Sequence, residues 1–123
     1  MISYSVYKIV HLTGVLMVFL SLGGVAAASI LGAAKDPRVR KWVAITHGSG
    51  MVISLVGGFG LLARLGIVHG GLPGWVMAKL AIWVIFGAMI ALLARKPALV
   101  KSMWFVMIFL GVVAAYLAGS KPF

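Results

Sequence analysis

Residues 74–94 read GWVMAKLAIWVIFGAMIALLA, a run of 21 residues whose only charge is Lys79. About 20 apolar residues in helical form cross some 30 Å of hydrocarbon, so this stretch predicts a transmembrane α-helix. Working outward, apolar runs of comparable length cover 4–33, 42–65 and 99–119. The first exceeds what a crossing needs and is expected to tilt or to project from the bilayer. Only short breaks lie between the runs: Lys35-Asp36-Pro37-Arg38, then His69-Gly70-Gly71-Leu72-Pro73-Gly74, then Arg95-Lys96-Pro97. Links this short join antiparallel neighbours. The expected architecture is an all-α, integral membrane four-helix up-down bundle forming one transmembrane domain over residues 1–123.

Composition points the same way. The chain is 63% hydrophobic and 10% charged, with a mean hydropathy of +1.18. A soluble domain of 123 residues has too little interior to hide that much apolar surface. Eleven Lys and Arg stand against a single acid, Asp36, for a net charge of +10. The basic residues sit mostly between the apolar runs, where they suit anionic lipid headgroups. No basic groove alternates with stacking aromatics, so nucleic acid is not an expected partner. There are no cysteines, which excludes disulfides and thiolate-held metals. The run after Lys8 is too long for a signal peptide's apolar body and reads as a retained helix.

Orientation follows from the basic residues near the helix ends. Lys35, Arg38, Arg40, Lys41, Arg95, Lys96 and Lys101 share one side, and Lys8, Arg64, Lys79 and Lys121 share the other. The richer side faces the cytoplasm. In a bacterial inner membrane both termini then lie in the periplasm. Tyr4, Tyr7, Trp75 and Tyr116 mark one interface, and Trp42 and Trp104 mark the other. Glycines such as Gly23, Gly24, Gly57, Gly58 and Gly60 suit close helix packing. His11-Leu12-Thr13-Gly14 and His47-Gly48-Ser49-Gly50 form a faint internal echo, as two hairpins from one duplication would.

Ionisable groups within a span are costly and mark candidate sites. His11, His47 and Lys79 are such groups. At about 1.5 Å per residue, His11 lies roughly 10 Å inside its run and Lys79 roughly 8 Å inside its own, both from the same membrane face. His47 starts from the opposite face, so His11 can meet Lys79 and is not expected to meet His47. The cluster Lys8, His11, Arg64, His69 and Lys79 holds no carboxylate and suits an anionic guest such as haem propionates, a porphyrin or a phospholipid head. Nowhere do three metal-binding side chains converge, as zinc or copper would require. A single histidine is, however, a standard axial ligand for haem b, and the small Thr13 and Gly14 leave room for a macrocycle. His11 is the candidate iron ligand, alone or with Lys79 or His69. His47 is a candidate for a separate site at the other face, where Met103 or Met107 could join it. The plainer alternatives are a His11 that bonds a neighbouring helix, a Lys79 that reaches the interface, and an exposed His69.

Tyr7-Lys8-Ile9-Val10-His11-Leu12, Gly74-Trp75-Val76-Met77-Ala78-Lys79-Leu80 and the closing Ala118-Gly119-Ser120-Lys121-Pro122 resemble the SirB-like and HemJ-like small membrane proteins. The resemblance spans nearly the whole chain. HemJ-type proteins are haem-b-binding protoporphyrinogen oxidases with a functional histidine in the first helix and lysine in the third. The resemblance implies those roles for His11 and Lys79. The expected function is haem-b binding with electron transfer or redox chemistry on a membrane-soluble partner, a quinone or a porphyrin. The alternative is a structural or accessory subunit, as a homo-oligomer or within a larger membrane complex.

Overall fold

The computed structural model describes residues 3–66 and 71–122. It contains four α-helices, α1 (Tyr4–Ile30), α2 (Pro37–Leu65), α3 (Gly74–Arg95) and α4 (Val100–Ser120), with a 3-10 turn, Pro97–Leu99, leading into the last. Each is long and apolar enough to span a bilayer. The molecule is an all-α membrane bundle of four helices.

The helix ends differ from the apolar boundaries where capping chemistry outweighs hydropathy. α1 stops at Ile30 rather than near residue 33, and Gly32 follows with φ of 74°, a left-handed turn that glycine adopts without steric cost. α2 starts at Pro37, five residues before the apolar run that begins at 42. Asp36 caps it by accepting from the Arg38 amide at 2.8 Å, and Pro37 fits the first helical position because it has no N–H to lose. The basic turn Arg38-Val39-Arg40-Lys41 is therefore helix, not link. The Arg38 guanidinium also grips Asp36 at 3.1 Å, and this contact, backed by the Arg38 amide, holds the carboxyl below its ordinary range. The cap is thus complete above the usual carboxylate pKa and is lost only as pH falls through the lowered one.

In lipid there is no hydrophobic force between helices, so close backbone packing and interhelical hydrogen bonds must hold the bundle. α1 and α2 supply the first. A side chain on Gly14 would fall onto the Ser54 backbone, and one on Gly60 onto the Tyr7 ring. At Gly57 a Cβ would lie 2.5 Å from the His11 nitrogen, and at Gly50 it would lie 2.9 Å from the Gly14 carbonyl. Gly23 and Gly48 have open space instead, so they do not serve this contact.

α3 joins the pair through longer reaches. His47 Nε2 donates to the Phe86 carbonyl at 3.1 Å, and Trp83 Nε1 donates to the Met51 carbonyl at 3.0 Å. Each helix thus lends the other one side-chain donor. α1 also touches α3 and α4, whereas α2 and α4 occupy opposite corners. Toward the Asp36 end the core closes completely: Leu22 and Leu93 are fully buried, and Phe19 meets Phe86 edge-on at 5.1 Å between centroids. α4 is the most peripheral helix, with Phe105, Phe109, Val112 and Tyr116 exposed along one face.

Gly57→Ala should lower the stability of the detergent-solubilised protein by about 1–3 kcal/mol through overpacking. Gly23→Ala should be neutral or slightly stabilising, because a helix favours alanine where space is open. Thermal melts of the two variants in the same detergent check this, and equal midpoints would count against the glycine contact.

Candidate cofactor site

Above the Phe19–Phe86 contact the bundle opens into a cleft walled by all four helices. His11, Ser54, Lys79 and Ala118 line its middle, one from each helix, with Tyr4 and Lys121 nearer the end. The cleft has two lobes. The larger, about 530 Å³, runs between α1 and α4 past Leu12, Val15 and Gly111 and is floored by Phe19 and Phe86. The smaller, about 160 Å³, lies between α2 and α3 against Leu55, Phe59, Trp75 and Leu80.

His11 is held by a contact that the helix pairing creates. Its Nδ1 lies 2.7 Å from the Ser54 carbonyl. A carbonyl oxygen can only accept, so Nδ1 carries the hydrogen, and in the neutral ring Nε2 keeps the lone pair. Gly57 and Gly58 make the contact possible in different ways. The first admits the His11 backbone, and the second admits the ring, since a Cβ on Gly58 would lie 3.2 Å from Nδ1. Nε2 has no hydrogen-bond partner among the described residues, and no buried side-chain nitrogen there lacks one, so Nε2 keeps accessible surface on a residue that lines both lobes.

The charge around the cleft has one sign. Lys8, Lys79 and Lys121 line it, and the chain's one acid caps α2 about 27 Å along the helix from Ser54. Lys79 has no hydrogen-bond partner among the described residues. Lys121 is fixed more firmly: it donates to the Ala118 carbonyl at 2.8 Å and lies over the Trp75 ring, 5.6 Å from its centroid. The site can therefore offer one imidazole lone pair, several ammonium donors and an apolar interior.

The structure brings His11, Lys79 and Lys8 together and leaves the other expected residues elsewhere. Gly14 is not in the cleft, because the space left by its missing side chain is filled by the α2 backbone rather than by any guest. Arg64 is exposed on the last turn of α2, at the same end but outside the lining. His69 lies outside the described residues. His47 lies two turns from Ser54 along α2, roughly 10 Å further into the bundle, where its Nε2–H is committed to Phe86. Met103 and Met107 do line the α4 side of the core, with Met107 buried. Among the described residues no three His, Cys, Asp or Glu side chains gather.

Sequence reasoning missed Ser54, Gly58, Trp83 and Lys121 as parts of the site. Trp83 did carry a signal, since an indole in mid-span lies far from the interface that tryptophan prefers. No family model, curated protein or solved structure matches this chain.

Nitrogen-15 NMR of histidine-labelled protein should find His11 protonated on Nδ1 and His47 on Nε2. The reverse assignment for His11 would contradict the geometry of the cleft.

Proposed function

We propose that the larger lobe holds haem b, with His11 Nε2 as the atom that would bind its iron. The observation that carries this reading is the Nδ1–H bond to the Ser54 carbonyl. Iron-bound histidines nearly always donate their other N–H to a carbonyl or carboxylate, which fixes the tautomer and the ring plane. The volume also suits a cofactor, since sites of this kind span about 300–1,000 Å³ and are mostly apolar with a few placed polar groups.

The chain's residues then have distinct tasks. His11 presents a lone pair from a ring that α2 has already oriented. Phe19 and Phe86 close the floor and keep the site dry. Lys8 and Lys121, at the mouth, suit propionate carboxylates. Lys79 either ligates iron or joins them in pairing with a carboxylate. Haem bound there would supply a one-electron redox centre, so the function is electron transfer or redox chemistry with a quinone or porphyrin dissolved in the membrane. A HemJ-type oxidase activity fits this reading. The seven basic residues at the Asp36 end support placing that end in the cytoplasm and the cleft on the periplasmic side of a bacterial inner membrane.

Protein purified from haem-replete cells should show a Soret band that moves on reduction, and His11→Ala should abolish it. Gly58→Val, which pushes the imidazole off Ser54 without removing the ligand, should weaken haem affinity on the order of 10–100-fold. Lys79→Gln separates the two lysine roles: a changed band position marks iron ligation, and an unchanged position with weaker binding marks carboxylate pairing. A colourless protein ends the proposal.

A further inference from the structure

The smaller lobe shares His11, Ser54, Lys79 and Lys121 with the larger one, but it adds apolar walls of its own. At about 160 Å³ it matches a single six-membered ring, since a dry apolar cavity of about 150 Å³ takes one benzene molecule. Its walls are apolar, with Leu55, Leu62 and Leu80 against the indoles of Trp75 and Trp83. Both indoles are held in place, Trp83 by the Met51 carbonyl and Trp75 under Lys121, so the lobe has rigid aromatic faces.

Polar recognition comes from one direction. Lys79 and Lys121 line the lobe, and among the described residues no carboxylate lies there beside them. A ring in the lobe would have to present electron-rich oxygens to those ammonium groups. The ties between α2 and α3 are unevenly placed around the lobe. The bonds that tie α2 to α3, His47 to Phe86 and Trp83 to Met51, all lie on its floor side. Toward the His11 end Phe59 and Leu65 line the lobe while 39% and 46% exposed, so the α2–α3 side there is the less tightly closed one. An apolar tail can leave by that side while the ring stays inside.

We infer that this lobe binds the head of a membrane quinone: one ring carrying carbonyl oxygens, with Lys79 and Lys121 as hydrogen-bond donors and the tail passing between α2 and α3. The choice of a quinone over another oxygen-bearing ring rests on the redox reading above. His11, Ser54, Lys79 and Lys121 line both lobes, so the ring and a guest in the larger lobe would meet along these residues and share the two ammonium groups.

Photolabelling of the full-length protein in liposomes with a short-chain azidobenzoquinone tests this. Labelling should saturate, map to residues 55–65 and 75–83, and be displaced by unlabelled short-chain benzoquinone but not by excess phosphatidylglycerol. Leu80→Trp, which fills the lobe, should abolish the saturable labelling with the Soret band unchanged. Leu55→Trp should do the same and serves if the first variant does not fold. Labelling that never saturates, that maps to lipid-facing Leu16 or Phe105, or that phospholipid displaces equally well overturns the inference. A colourless protein that still labels would sink the haem reading alone, and a coloured one that does not label would sink only this one.

Discussion

The close approach of α1 to α2 is the constraint from which the rest of the molecule follows. Where Gly14, Gly50, Gly57 and Gly60 line up against the opposite helix, backbone meets backbone and no side chain can lie between. His11 stands on that seam, so its imidazole has to cross Gly58 and reach the Ser54 carbonyl. The ring orientation is thus a product of packing, not of a dedicated polar partner. Because the pair consumes its own small residues, α3 and α4 must close the bundle with large ones, and they do so at one end only.

One form of polar contact recurs through the membrane interior. His11, His47 and Trp83 each aim a ring N–H at the carbonyl of a neighbouring helix, at Ser54, Phe86 and Met51 respectively. Those carbonyls are already within helical ladders, but a carbonyl oxygen has two lone pairs and can accept twice. A chain with one acid can thereby satisfy buried donors without burying any carboxylate. Each such bond is modest, on average about 0.6 kcal/mol between membrane helices, so the arrangement specifies registry more than it stabilises. Lys79 stands outside this scheme. It cannot be satisfied by one carbonyl without leaving its charge uncompensated, and it lines the cleft.

The number of spans and their alternation were legible in the sequence, because four apolar runs with short polar breaks have few ways to fit a bilayer. The depth arithmetic for His11 and Lys79 was legible for the same reason: it needs only a helical rise and a direction. What hydropathy could not see was the Asp36 cap, which turns the five residues from Pro37 to Lys41 into helix. Nor could it rank the glycines. Gly14, Gly23 and Gly57 look alike in sequence, yet the first and last are filled by α2 and α1 backbone while Gly23 faces open space. Ser54 was invisible because its contribution is a carbonyl oxygen, which every residue has. Reading it required the register between two helices.

The two ends of the bundle are packed differently. Toward Asp36 the core is closed around Leu22 and Leu93, and the polar ties to α3 sit at the level of Phe86 and Trp83. The His11 half leaves large voids, which forfeit dispersion contacts, and it sets Lys79 and Lys121 within reach of each other's charge. On the proposed reading, an apolar guest carrying oxygen acceptors would fill that space and meet those charges. Any such guest stabilises the fold by mass action as well as occupying the site, since the unfolded chain has no cleft to offer it. The ammonium groups and the cleft thus occupy the same end of the bundle, away from the closed core around Leu22 and Leu93.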